Sequence, residues 1–133
     1  MQRTIGFNKR FLFREHGISN ERIIEEHFER KDGTVLVSPS LGYGTNLLDD
    51  MGRFQIVMKL PYLPLGSNRV KKLATKDPQW YQMKMLTHLI QMCGRCTRSE
   101  SDYSDTYILD GSAVKVLKQN WFHLPQWFKN RLV

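Results

Sequence analysis

The stretch of this chain with the densest chemistry is Gln91-Met92-Cys93-Gly94-Arg95-Cys96-Thr97-Arg98-Ser99. Read as helix at 100° per residue, Arg95 stands four residues past Gln91 and Arg98 seven past it, so an amide and two guanidiniums share one face. Arginine donates in a planar fork that matches phosphate oxygens, and two such forks beside an amide make an anion clamp. Gly94, up to about 1 kcal/mol worse than Ala inside a helix, has a use there if a ligand must come close to the backbone. By itself, the same pair of arginines also reads as an ordinary solvated basic face. Cys93 and Cys96 have the Cys-x-x-Cys spacing of a redox dithiol or of half a zinc site. Zinc needs two further ligands, and His16, His27, His88 and His123 show no ligand spacing. At i, i+3 the two thiols lean toward the apolar stripe of the helix, which favours packing, and no metal site is predicted. The cluster Arg69, Lys71, Lys72 and Lys76 could meet a polyanion but reads equally as a solvated loop, and the Gly- and Ser-rich stretch from Ser38 to Thr45 reads as a loop.

The elements that must position these residues follow from periodicity. Phe11-Leu12-Phe13 is a short strand or an arm, and the residues alone leave both open. Ser19 or Asn20 can cap a helix through Ile23, Ile24, His27 and Phe28, ended by the turn signal Asp32-Gly33. Thr34 to Val37, Gln55 to Leu60 and Thr106 to Leu109 are continuous apolar or β-branched runs of the kind buried on both faces of a parallel sheet. Residues 61 to 78 carry three of the five prolines and read as a loop or a pair of short turns. From Trp80 to about Arg98 the pattern is helical, with Met83, Leu86, Leu89 or Ile90, and Cys93 on one stripe. Further helices are predicted near Ser112 to Lys118 and, started by a proline, near Pro125 to Arg131. Trp121, Phe122, Trp127 and Phe128 could stack on bases, but their setting fits packing on the sheet better. Strands alternating with helices predict an α/β domain with a mainly parallel sheet, helices on both faces and function in the loops beyond the carboxyl ends of the strands.

Bulk properties bound the alternatives. A chain of 133 residues with 41% hydrophobic and 25% charged residues is one folded domain and excludes intrinsic disorder over most of its length. No apolar run reaches the roughly 18 residues of a membrane span, and two cysteines cannot supply a disulfide framework. The expected location is therefore intracellular, cytoplasmic or nucleoid-associated, with no membrane partner. A net charge of +7 points to a polyanion, most simply nucleic acid.

The full spacing Gln-x-x-Gly-Arg-x-x-Arg-Ser-x-x-Asp-Tyr, Gln91 to Tyr103, resembles motif VI of superfamily 2 helicases, in particular the DinG/XPD type. Val35 to Ser38 followed by Ser40-Leu41-Gly42-Tyr43-Gly44-Thr45-Asn46-Leu47 is similar to that family's strand and motif V. The Gly52-Arg53 pair with the Ile56-to-Pro61 strand, Tyr107-Ile108-Leu109-Asp110, and Leu124-Pro125-Gln126-Trp127 resemble later landmarks, in order, so that residues 20 to 131 are covered. Tyr43 and Asn46 stand where the family has acidic residues, and Ser104 where it commonly has Gly. Asparagine hydrogen-bonds at such a position but brings no negative charge.

The resemblance implies a RecA-like, P-loop NTPase-type three-layer domain over residues 1–133, lacking its opening strand. It implies that Arg95 and Arg98 act as arginine fingers on ATP whose phosphates and Mg²⁺ are held by a separate first RecA-like domain. Gln91 would orient the attacking water or the γ-phosphate, with Gly44, Asn46 and Gly94 also at the nucleotide. Ser38, Ser40, Gly44 and Thr45, joined by Arg69, Lys71 and Lys72, would contact single-stranded DNA. Asp102 and Asp110 are expected to position arginines or cap loops. The 133 residues contain no Gly-x-x-x-x-Gly-Lys-Ser/Thr loop and no Asp-Glu-x-His strand end, so the chain alone is not expected to hydrolyse ATP. An iron–sulfur cluster, if the parent protein has one, would lie outside this chain, and the first domain would come from the parent protein or a separate chain. Two other classes remain at this stage: a non-catalytic nucleic-acid-binding or regulatory module that keeps the fold, and a dithiol redox protein.

Overall fold

The structure, a computed structural model, describes residues 10–13, 17–30, 33–39, 47, 49–96, 103–130 and 132. Their order is β1 (Phe11–Phe13), α1 (Asn20–Glu29), β2 (Val35–Val37), β3 (Phe54–Val57), α2 (Asn68–Lys76), α3 (Pro78–Cys93), β4 (Asp105–Ile108), α4 (Ala113–Gln119) and α5 (Gln126–Lys129). Tight 3-10 turns occupy Asp49–Gly52 and Trp121–His123. The class is α/β with parallel strand pairing, as the alternation of elements predicted, and it fits a RecA-like domain. No helix among the described residues is long and apolar enough to cross a membrane.

Ser19 is the cap of α1, its hydroxyl accepting from the Arg22 amide, and Ile23 is the residue the helix buries. Past the helix, Gly33 takes φ +64°, a left-handed conformation that glycine adopts without strain. The chain then returns as β2, which pairs in parallel with β1 in the register Phe11↔Val35. Phe11-Leu12-Phe13 is thus a strand rather than an arm. β3 pairs in parallel with β4, Phe54 opposite Asp105 and Val57 opposite Ile108.

Two features depart from the sequence reading. The described strands form two separate two-stranded ladders, β1–β2 and β3–β4, not one continuous sheet. Nor are the strands buried on both faces. Val57 is buried and Gln55 partly so, while Phe54, Ile56, Tyr107 and Leu109 on the alternate positions are half or more exposed. The reason is that, while α1 packs on β1–β2, α3, α4 and the C-terminal segment pack on one side of β3–β4. The core there joins Val57 and Leu60 to Met85, Leu86, Leu89 and Cys93 of α3, to Ala113, Val116 and Leu117 of α4, and to Leu124 and Phe128 at the chain's end. Each large side chain so buried contributes about 1.5–3 kcal/mol of transfer free energy.

The segment 61 to 78 is the third correction, because it holds a helix. α2 starts after Ser67 and packs along α3, with Val70, Leu73 and Ala74 partly covered and no side chain fully buried. The prolines that signalled a loop all lie outside it, and Pro78 occupies the first turn of α3, where a missing N–H costs nothing. Asp77 ends α2 and caps α3, accepting from the Trp80 amide at 2.9 Å. At 16 residues α3 is the longest helix described, running to Cys93 rather than Arg98.

Where β3 and β4 end, one carboxylate ties the two exits together. Asp110 accepts from the Leu60 amide at 3.0 Å and from the Ser112 amide and hydroxyl at 3.0 and 2.7 Å. This is the loop-capping role expected of it. The Ser112 hydroxyl above all, then the two amides, holds the carboxyl at about 2, below its ordinary 3.8. The native carboxylate takes up a proton less readily than the unfolded one, so its stabilisation is complete above about pH 4 and drains away as the pH falls toward 2. Asp110→Asn should therefore melt lower than the parent at pH 7 and lose less additional stability than the parent between pH 4 and 2. Circular-dichroism melts across that range check this, and parallel acid limbs for the two proteins would contradict it.

Candidate functional site

The richest segment of the sequence sits where α3 stops. Gly94 caps the helix with φ −82°, its amide donating to Ile90 O at 3.1 Å, and the Arg95 amide closes a tighter turn onto Met92 O at 3.1 Å. The helical track predicted to carry Gln91, Arg95 and Arg98 on one face is therefore broken. Gln91 is exposed on the last turn, Arg95 is half-buried in the closing turn, and Arg98 lies outside the described residues. Glycine is the poorest helix former short of proline, and it stands where the helix ends. Arg95 places its charge at the negative end of the helix dipole, a favourable location of its own. A Cβ at Gly94 would meet only Ile90 O at 3.6 Å, Gln91 O at 3.7 Å and the Trp127 ring at 3.9 Å, all ordinary contacts.

Three consecutive residues, Met51, Gly52 and Arg53, make the contacts that link α1, Cys96 and Tyr103. The Met51 carbonyl accepts from His27 Nε2 at 2.9 Å, while His27 Nδ1 hydrogen-bonds the Thr34 hydroxyl. That histidine, which the sequence left without a role, ties α1 to the start of β2 and to the 49–52 turn. Gly52 lies against Cys96 so closely that a Cβ there would stand 2.9 Å from Cys96 Sγ and 3.2 Å from its Cβ. Arg53 donates through Nη1 to the Tyr103 carbonyl at 3.2 Å and sets its guanidinium 4.5 Å from the centre of the Tyr103 ring. Its own carbonyl receives the Asp105 amide at 3.1 Å. Beside them Cys96 Sγ approaches Gln55 Oε1 at 3.8 Å, and Gln55 Nε2 donates to the Thr106 hydroxyl at 2.7 Å. Both cysteines are buried free thiols, packed as their spacing predicted. Burial pushes the Cys93 thiol up to about 12, with Cys96 adding to the effect.

Topology separates the candidate residues into two groups. Near its start, α3 is fixed to the strands' exit side, where Tyr81 donates to Leu63 O at 2.7 Å and stacks on Tyr62. It ends at the entry side, where Cys96 meets Gly52 and Gln55. Arg95 thus lies at the amino edge of β3–β4, on the side away from the strands' carboxyl ends. The basic cluster belongs to the neighbouring helix α2, which joins the start of α3 through Asp77 and packs along it. There Asn68, Lys71, Lys72, Thr75 and Lys76 of α2 line a shallow open groove of about 450 Å³, with Arg69 also exposed. Ser38 follows β2 directly, while Ser40, Gly44, Thr45 and Asn46 lie outside the described residues, as does Asp102. Of the C-terminal aromatics, Phe128 is buried and meets Trp127 edge-on at 5.7 Å, but Phe122 is 94% exposed and does not pack as expected.

The family profile described as "Helicase C-terminal domain" matches residues 2–131. The chain is also similar to "Regulator of telomere elongation helicase 1 homolog" of Caenorhabditis briggsae, at 27% identity over 105 residues. That alignment covers 67% of this chain and 10% of the relative, so the chain spans about a tenth of the relative's length.

The buried thiols allow a direct check of the dithiol alternative. At pH 8 in native buffer, both should react with a chromogenic disulfide reagent more than about tenfold slower than free cysteine, because both are buried and the Cys93 thiol is pushed up to about 12. Denaturant should bring both to the free rate. Rapid native labelling, or a Cys93–Cys96 disulfide by mass spectrometry after mild oxidation, would reopen a redox role.

Proposed function

The chain belongs to the helicase C-terminal domain family, of the DinG/XPD type, and on that premise we propose that it is the second motor domain of an ATP-dependent DNA helicase. In this reading a first RecA-like domain holds ATP and Mg²⁺, and this chain supplies the groups that complete the site when the two domains close. The observation that carries it is the end of α3. Arg95 sits in the turn at a helix terminus, exposed Gln91 precedes it by one turn, and the Cβ position of Gly94 between them is free of close contacts. Glycine serves there to end the helix, and its bare backbone also leaves room for a ligand to come close.

The chemistry needs little more from this domain than charge and position. Phosphoryl transfer spreads negative charge over the oxygens of the moving group, and guanidinium forks donate to those oxygens in a site shielded from water. Arg95 and Arg98 take that role, while the Gln91 amide orients the water or the γ-phosphate. Asn46, Gly44 and Gly94 complete the contact surface. Fingers that arrive only on closure also tie hydrolysis to domain motion. With the first domain added, Arg95→Ala and Arg98→Ala should each lose roughly 10³-fold or more in turnover while keeping DNA affinity. The 133-residue chain alone should show no turnover. Parental rates in both variants would return Arg95 to its role at the helix dipole.

Single-stranded DNA is the second ligand. Ser38, Ser40, Gly44 and Thr45 would meet phosphates through hydroxyl and backbone N–H groups, and the open groove of α2 offers Lys71 and Lys72, with Arg69 nearby. Neutralising phosphates releases counterions, so binding to a fluorescent oligonucleotide should weaken steeply with salt. Lys71→Gln with Lys72→Gln should flatten the log–log slope by about 1.4, at 0.7 per lost phosphate contact on a single strand. An unchanged slope would remove α2 from the DNA path and leave it a solvated helix.

A further inference from the structure

We propose that Gly52 and Arg53 are positioning residues for the arginine-bearing segment, Gly52 seating its start at Cys96 and Arg53 gripping its end at Tyr103. The proposal rests on the finger reading above and adds to it the part that would make the fingers arrive in register. One dipeptide reaches both ends of the segment. The Gly52 backbone is pressed on the Cys96 side chain, where any β-carbon would collide with sulfur at 2.9 Å. The next residue, Arg53, holds Tyr103 in two ways, through its carbonyl at 3.2 Å and over its ring at 4.5 Å, and its own carbonyl takes the strand bond from Asp105, two residues on, at 3.1 Å. Arg95 adjoins the first anchor in the chain and Arg98 lies between the two. An arginine is long and loses much rotamer freedom when held, so its backbone must be fixed before its fork can be aimed.

Arg53 suits this task in a way that lysine does not. Its planar fork donates to a carbonyl while its face lies over an aromatic ring, whereas an ammonium is a point charge with no such plane. Tyr103 is 63% exposed, so burial does little to hold it, and Arg53 supplies the contacts instead. The same dipeptide follows Met51, which anchors His27. The clamp is therefore built on a turn fixed to α1, not on a loose loop.

The test uses this chain combined with a first RecA-like domain, with Arg95→Ala as the reference. A misplacement on the order of 1 Å costs about 10²-fold in rate. Arg53→Ala should therefore lower kcat by about 10- to 100-fold with KM for ATP little changed, and Arg53→Lys should fall between it and the parent. Tyr103→Leu should match Arg53→Ala, and the double variant should be no worse than either single one, since both remove one contact. On the 133-residue chain itself, Arg53→Ala should speed amide exchange in peptides spanning residues 92–104 by about tenfold, with the β1–β2 peptides unchanged. Parental kcat in Arg53→Ala, where Arg95→Ala abolishes turnover, would overturn the proposal. Should Arg95→Ala itself turn over at the parental rate, the finger reading falls instead. The exchange measurement then decides the clamp alone, and unaltered exchange at 92–104 would remove it.

Discussion

The contact between the Gly52 backbone and the Cys96 sulfur is the constraint around which the rest of this domain is arranged. A side chain as small as alanine's at position 52 would have to push Cys96 aside. Cys96 follows directly from the turn that ends α3, and Gly52 directly precedes the Arg53–Phe54 entry to the β3–β4 ladder. Their touching sets how far α3 may run and where the chain must leave it. From that point the Gln55–Thr106 hydrogen bond and the Arg53–Tyr103 pair follow as neighbours along the same edge. Asp110 closes the opposite edge by joining Leu60 to Ser112. The ladder is thus pinned at both ends by polar contacts and filled on one face by apolar ones.

Charge is distributed with the same economy. The lysines lie on α2 and Arg95 in the turn that ends α3, so the basic groups are carried by two different elements. Asp77 belongs to both helices, ending one and capping the next, so no flexible linker intervenes between the basic groove and the start of α3. In the helicase reading the polyanion surface lies on α2 and the nucleotide-facing arginine at the carboxyl end of α3, the helix along which α2 packs.

Much of this was legible in the residues, and what was not has physical causes. The Ser19 cap, the apolar stripe of α3 and the β-branched strands are local patterns, and they appear within a few residues of where they were read. α2 escaped because it is short, buries no side chain completely and lies between prolines, so its apolar residues Val70, Leu73 and Ala74 were too few to outweigh a loop-like composition. The arginines were found by spacing, but an unbroken helix through them was assumed, and Gly94 ended it. The Arg53–Tyr103 and His27–Met51 contacts link residues 50 and 24 positions apart. No periodicity reports such pairs. Gly52-Arg53 stood out as a landmark of the family resemblance, though nothing in the sequence said what the pair holds.

The uncovered face of β3–β4 has a consequence for handling and evolution alike. Phe54, Ile56, Met58, Tyr107 and Leu109 present adjoining apolar side chains to water, between 50% and 66% exposed. A surface of this composition is costly to hydrate and sticky toward its own kind. At the concentrations reached during overexpression, the isolated chain will tend to clump or to draw on chaperones, and its yield will rise with lower temperature or a solubilising fusion. The same stickiness limits how freely the domain can be shuffled between genes, because a new host must bring a lid of matching shape along with it.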